Sequence, residues 1–92
     1  MKVRLKTDVY GNEDQYEAQA QGGPRASSRS MILALDWPGS REPVVGEYIY
    51  LGFGSLRVEA VFWLPAQRIC FLKLSDAVGR RAERGLKAAG FR

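Results

Sequence analysis

The sequence of 92 residues contains no histidine and a single cysteine, Cys70. Histidine is the usual general base near neutral pH and the commonest protein ligand of metal ions, so its absence excludes the ordinary hydrolytic triads. One cysteine can neither build a zinc site nor close a disulfide within the chain. We therefore expect a protein that is not an enzyme and that needs no metal or other cofactor.

The carboxylates do not supply a catalytic or metal-binding motif instead. They are scattered except around the first predicted turn, which carries Asp8, Glu13, Asp14 and Glu17. This group lacks the alternating ligand spacing of a calcium loop, and we interpret it as a solvated turn. The sequence implies no small-molecule substrate.

Long hydrophobic runs are also absent. No segment has the length of a membrane-spanning helix, and the first residues, MKVRLK, alternate charged and apolar side chains instead of forming the apolar part of a signal peptide. These features predict a cytoplasmic protein without a membrane partner. A hydrophobic content of 46% and a charged content of 26% are ordinary for a folded chain, so residues 1–92 are predicted to form one domain.

The clearest pattern in the chain is the alternation of apolar and polar residues over 43–74, in three runs. It predicts a three-stranded antiparallel sheet. The segment 52–55, GFGS, has the glycines that a hairpin loop needs, and we expect Leu51 to pair with Leu56 across it. The second break is a predicted three-residue loop at 65–67, which begins with proline.

The register of the second hairpin decides which side chains share a face. A three-residue loop places Phe62 opposite Cys70 and Glu59 opposite Lys73. We prefer this register because it sets two opposite charges side by side.

The predicted register divides the sheet into two faces. The inner face is almost entirely apolar and comprises Ile49, Leu51, Leu56, Val58, Ala60, Phe62, Cys70, Leu72 and Leu74. One end of the outer face is polar and comprises Tyr48, Tyr50, Arg57, Glu59 and Lys73. The other end is an apolar cluster of Val61, Trp63, Ile69 and Phe71. Such a cluster is normally covered by another element or by a partner.

The first third of the chain predicts further strands. Residues 2–10 alternate as a half-buried strand with a basic outer side, and a weaker strand is predicted at 16–21. The segment 21–29 is rich in glycine, proline and serine, which predicts a mobile loop. Residues 31–36 form a nearly continuous apolar run, which is typical of a strand buried on both sides.

The last part of the chain predicts a helix over about residues 76–89. Ser75 or Asp76 is a suitable first cap, apolar residues recur at the spacing of one helical face, and Gly90 ends the helix. Two internal glycines weaken the helix, so we expect it to depend on docking residues such as Leu86 onto the sheet.

These elements predict an α+β fold that is mainly β, with a small curled antiparallel sheet or partly open barrel of about five strands and one C-terminal helix. The segment PVVGEYIYL at 43–51, followed by Val58, Val61 and Trp63, resembles the central hairpin of small bacterial SH3-like or related β-barrel proteins, many of which have no assigned function. The resemblance implies a fold and no functional residue.

The formal net charge of +4 favours contact with polyanions. The densest basic group is opposed nearby only by Glu83 and comprises Arg80, Arg81, Arg84, Lys87 and Arg92. A second basic patch comprises Lys2, Arg4 and Lys6. Our first hypothesis is a non-catalytic nucleic-acid-binding module that uses the helix for phosphates. The same cations also have a structural explanation, because they offset the helix dipole.

The second hypothesis is a protein-interaction module or a homodimer. Its interface would be the apolar part of the outer face, Val61, Trp63, Ile69 and Phe71, or else Trp37. The sequence favours the two hypotheses about equally.

Overall fold

A computed structural model of the chain describes residues 2–11, 28–39, 41 and 43–92. These residues form six strands and one helix: β1 (Lys2–Tyr10), β2 (Ser28–Asp36), β3 (Tyr48–Tyr50), β4 (Ser55–Leu64), β5 (Ile69–Leu74), β6 (Ala77–Val78) and α1 (Arg80–Ala89). The predicted α+β fold that is mainly β, with a C-terminal helix, is confirmed. None of the described residues forms a helix long and apolar enough to cross a membrane.

The strands lie in one open sheet in the order β2-β1-β5-β4-β3, and β6 extends the sheet beside β1. The predicted antiparallel pairs β3–β4 and β4–β5 are present. The N-terminal strand β1 inserts between β2 and β5, antiparallel to β2 and parallel to β5 and β6. The sheet is therefore mixed, and its centre is built from strands that are far apart in the sequence.

Strand β1 has the alternation that the sequence predicts. Val3, Leu5, Thr7 and Val9 are buried, while the residues between them face the other side of the sheet. Buried Thr7 satisfies its hydroxyl by donating a hydrogen bond to the carbonyl oxygen of Ser75, at 2.8 Å. This side of the sheet contains the hydrophobic core.

Helix α1 covers the core side of the sheet through Ala82 and Leu86, which are buried. It begins at Arg80, and Gly79 occupies the cap position with no side-chain cap hydrogen bond. The predicted start near residue 76 is wrong because Ala77–Val78 pairs with β1 as strand β6. The predicted end is confirmed, since Gly90 adopts the left-handed conformation.

The turn between β4 and β5 contains four residues, 65–68, instead of the predicted three. Arg68 adopts a φ of 56°, and the turn pairs Leu64 with Ile69. At the other end of the hairpin, Val58 pairs with Leu74, as the predicted register requires. The two ends therefore differ in register by one residue.

A β-bulge between Val58 and Ala60 absorbs this difference. Beyond the bulge Phe62 pairs with Phe71, and Trp63 pairs with Cys70. The predicted pairing of Phe62 with Cys70 is wrong, because one extra residue transfers every later side chain of β4 to the opposite face. The side chains expected inside and outside are exchanged along this half of the strand.

Strand β2 is an edge strand, and the prediction that residues 31–36 are buried on both sides is wrong. Met31 is fully buried, whereas Ile32, Ala34 and Asp36 on the other face are exposed. The strand begins at Ser28, so the predicted loop at 21–29 extends two residues too far. The rest of that loop and the strand predicted at 16–21 lie outside the described residues.

Candidate nucleic-acid interface

The sheet has one face turned away from α1, which we call the open face. Alternation along β1 places the side chains of Lys2, Arg4 and Lys6 there, since their neighbours Val3 and Leu5 point into the core. Lys2 and Arg4 are exposed and Lys6 is partly exposed. The sequence-predicted second basic patch is therefore assembled as one row on a single strand.

Two phenylalanines lie beside this row. Arg4 pairs with Phe71 on β5, and Phe71 pairs with Phe62 on β4, so the three side chains are neighbours across three adjacent strands. The two rings meet edge to face, with centroids 6.4 Å apart and planes at 61°. Phe62 keeps 52% of its surface exposed. The bulge thus moves an aromatic ring, assigned to the core from sequence, onto the open face.

The next row across the sheet contains two lysines side by side, because Lys6 pairs with Lys73. Lys73 donates a hydrogen bond to Glu59 at 3.1 Å, and Arg57 lies 3.9 Å from the same carboxylate. Burial alone would lower the pKa of Lys73, but the hydrogen bond and charge of Glu59, with the charges of Asp76 and Asp8, raise it above its ordinary value. Lys73 is therefore a fixed cation.

Strand β3 adds two tyrosines at the edge of the open face. Tyr48 pairs with Arg57, and Tyr50 pairs with Ser55. Their side chains are 70% and 74% exposed, and the hydroxyl of Tyr50 donates to the carbonyl oxygen of Gly52 at 3.0 Å. The tyrosine rings consequently stand in solvent next to a cation.

The basic residues predicted on the helix lie on the other side of the molecule. Arg80, Arg84 and Lys87 share the side of α1 opposite the buried Leu86, and all three are exposed. We call these three residues the helix stripe. Arg81 diverges from it and lines a groove with Phe53 instead. The helix stripe and the basic patch on β1 are therefore separated by the sheet and the core, whereas Arg92 pairs with Ile32 at the edge of the sheet.

One acidic side chain, Glu83, partly neutralises the positive charge of the helix stripe. Glu83 accepts a hydrogen bond from Arg29 at 3.0 Å and lies 3.4 Å from Lys87. The predicted i,i+4 pair between Glu83 and Lys87 is present. Such exposed pairs contribute about 0.3–0.5 kcal/mol to stability. The local charge stays positive, because Glu83 is opposed by Arg29 as well as by the cations of the helix stripe.

The residues predicted to form a single apolar interface are distributed over both faces. The bulge turns Val61 and Trp63 towards the core side, whereas Ile69 and Phe71 face the open side. Trp37 packs against the core cluster. The continuous apolar patch expected from the sequence is not formed, because its two halves point in opposite directions.

The sequence contains no signal for this rearrangement, because residues 60–64, AVFWL, are all apolar and fit either face. In the structure, core-side positions fall at Leu56 and Val58 and then at Val61 and Trp63, so the spacing changes from two to three between 58 and 61. This change of phase is produced by the β-bulge.

Other chemistry is not assembled among the described residues. They contain no group of three or more acidic or cysteine side chains placed to hold a metal ion. Every buried side-chain nitrogen or oxygen in that part of the chain has a hydrogen-bond partner.

Comparison with known proteins does not assign a family. The chain matches no protein-family model, no curated protein and no solved structure. The resemblance of residues 43–51 to the central hairpin of SH3-like barrels accordingly stays a prediction.

Proposed function

We propose that this chain is a non-catalytic, cytoplasmic module that binds single-stranded nucleic acid on the open face of its sheet. The observation that carries the proposal is the row of Arg4, Phe71 and Phe62 on adjacent strands, in which a cation adjoins two aromatic rings. Phosphate binding and base stacking need these two kinds of side chain in reach of one another.

The aromatic rings account for the preference for single strands. An unpaired base can lay its face on an aromatic side chain, whereas a base inside a duplex is already stacked on both sides. Phe62 is half exposed, and Tyr48 and Tyr50 are more exposed still. The open face therefore offers stacking positions at two places, next to Arg4 and next to Arg57.

The cations supply the electrostatic part of the interaction. Lys2, Arg4 and Lys6 form no salt bridge within the described part of the chain, and Lys6 lies directly beside Lys73. Lys73 is already paired with Glu59 at 3.1 Å, so the cations of β1 are the ones that a phosphate would contact. The same face carries Asp8 and Asp36, and Asp36 pairs with Lys2, so the attraction for an anionic backbone is centred on Arg4 and Lys6.

The direct test exploits two adjacent residues of β4 that differ in the face they occupy. Phe62 is 52% exposed on the open face, and Trp63 is 53% exposed on the core side. Fluorescence anisotropy with labelled oligothymidine or oligouridine should show that Phe62→Ala weakens binding about 5- to 150-fold, the loss of one stacked base worth about 1–3 kcal/mol. Trp63→Ala should leave the affinity unchanged.

Equal losses in the two variants, or no binding by the wild-type chain, would refute the proposal. Arg4→Ala should in addition lower the slope of log affinity against log salt by about 0.7, the value for one phosphate contact of a single strand. Sedimentation of the same samples checks the competing hypothesis. A salt-insensitive dimer that is broken by Trp63→Lys, in a chain that binds neither oligonucleotide, would favour the protein-interaction module instead.

A further inference from the structure

The end of the helix and the open face of the sheet meet at the outer edge of β2. A groove of about 430 Å³ lies there, lined by Arg4, Ile32, Leu33, Ala34, Gly90 and Arg92. We call it the edge groove. Arg4 belongs to the open face. Arg92 follows the helix and lies on the same face as Arg4, because it exchanges two main-chain hydrogen bonds with Ile32, whose side chain is on the open face.

The backbone holds the second arginine at this edge. The N–H of Arg92 donates to the carbonyl oxygen of Ile32 at 3.0 Å, and the N–H of Ile32 donates to the carbonyl oxygen of Arg92 at 2.9 Å. Phe91 is buried in the core, which anchors the segment from the other side. The position of Arg92 is therefore determined by main-chain hydrogen bonds, and its exposed side chain is available for other contacts.

The first arginine reaches the groove across a small residue. Arg4 pairs with Ala34 on β2. The side chain of Ala34 is a single methyl group, which is too small to separate Arg4 from the groove. Below it, the left-handed Gly90 packs closely on Leu33, since an added β-carbon would lie 3.1 Å from a methyl carbon of Leu33. The end of α1 is thus held directly against the edge strand.

Helix α1 ends at this groove, since Gly90 lines it. Lys87 lies in the last turn of α1, and Arg84 and Arg80 lie about 4.5 and 10.5 Å from it along the axis, from the rise of 1.5 Å per residue. The last carbonyl groups of the helix are partly satisfied, because the N–H groups of Gly90 and Phe91 donate to Lys87 and Leu86. A row of cations therefore leads from the edge groove along the helix.

We propose that a single strand bound on the open face continues through the edge groove, between Arg4 and Arg92, onto the helix stripe. This inference rests on the proposed function and adds the path that the strand takes. Its warrant is charge complementarity and chain continuity, because two arginines and the end of α1 at Gly90 line one groove with no aspartate or glutamate among its described lining residues. A long nucleic-acid strand then contacts both the open face and the helix stripe, whereas a short one contacts the open face alone.

The experiment compares oligothymidines at the two ends of the range of common site sizes, about 5 and about 15 nucleotides. The pair Arg80→Ala with Arg84→Ala should weaken binding of the 15-mer and leave the 5-mer unaffected, and Arg92→Ala should also weaken binding of the 15-mer. The salt slope of the 15-mer should fall by about 0.7 for Arg92→Ala and by about 1.4 for the pair.

Arg81→Ala is the matched control. It removes the same charge from the same helix, but Arg81 lines the groove with Phe53 and lies off the path. Its 15-mer affinity should equal that of the wild type. Each variant needs an unchanged urea midpoint, which the exposure of all four arginines allows.

Three results would overturn the path. The 15-mer affinity could be unchanged in the helix and Arg92 variants, Arg81→Ala could weaken it equally, or two 5-mers could bind one chain with the helix variants losing one of them. In each case the 5-mer still binds and depends on Phe62, so the proposed function stands. If neither length binds, the proposed function itself is wrong.

Discussion

The two faces of this sheet are made by the same strands and differ in almost every physical property. The core side packs Val3, Leu5, Leu72 and Leu86 into one cluster. The open face of the same β1 and β5 exposes cations and aromatic rings. The difference shows that alternation along a strand can serve stability on one side and leave the other side to recognition.

The largest expected effect is a difference between the two faces in what a truncated side chain costs the free energy of unfolding. Leu72→Ala, on the core side, should lower the free energy of unfolding by about 2–5 kcal/mol, because it opens a cavity in a fully buried position. Phe62→Ala, on the open face, should cost only about 1 kcal/mol, mainly the edge-to-face contact with Phe71. Urea unfolding followed by tryptophan fluorescence measures both. Similar costs would mean that the open face is also core.

A smaller effect tests the contact between the helix and the loop that joins β3 to β4, residues 51–54. Gly85 lies against Phe53, and a β-carbon at position 85 would approach the β-carbon of Phe53 to 2.7 Å. Gly85→Ala should therefore destabilise the protein by about 1–3 kcal/mol from overpacking, despite the higher helix propensity of alanine.

The loop itself supplies the control for that prediction. Gly54→Ala places a β-carbon in open space and should change the urea midpoint little. Combining Gly85→Ala with Phe53→Ala should remove the clash, so the double variant should lose less than the sum of the two single losses. Additive losses would show that Gly85 and Phe53 do not compete for the same space.

The smallest expected effect concerns an exposed ion pair that belongs to neither face. Hydrogen bonds from the side chain of Arg41 and the backbone of Val44 lower the pKa of Glu47 from 4.5 to about 2. A carboxylate with a depressed folded pKa stabilises the protein above its unfolded pKa, and the contribution disappears as the pH falls from about 4.5 to about 2.

Glu47→Gln should accordingly lower the urea midpoint slightly at pH 7, and wild type and variant should converge near pH 2. Both side chains of this ion pair are accessible to solvent, and the resulting screening keeps the difference small. A difference that stays constant between pH 7 and pH 2 would show that the charge of Glu47 is not involved.

Much of the fold could be predicted because its signals are local. Gly52 has the positive φ expected of a hairpin loop, Gly90 ends the helix, and the alternation of residues 2–10 matches the burial of β1. Each of these features depends on the conformational preference of one residue or on a period of two. Leu86 docks the helix, as expected from its spacing.

The candidate site could be predicted only in part. The cations Lys2, Arg4 and Lys6 were identified from the pattern of one strand. Phe62 was assigned to the wrong face, because a bulge reverses a strand without changing its composition. The apolar cluster built on that register was wrong for the same reason.

The sequence by itself determined the strands of both hairpins, the end of the helix and which residues of β1 are charged, since these follow from local periodicity and backbone preference. Only the tertiary structure decided that β1 lies parallel to β5, which sets Arg4 beside Phe71 and Lys6 beside Lys73. It also placed the helix stripe on the side of the molecule opposite the open face, and it set Arg92 beside Ile32 at the edge of β2. Pairing between distant strands depends on the packing of the whole core, which no single segment of the chain determines.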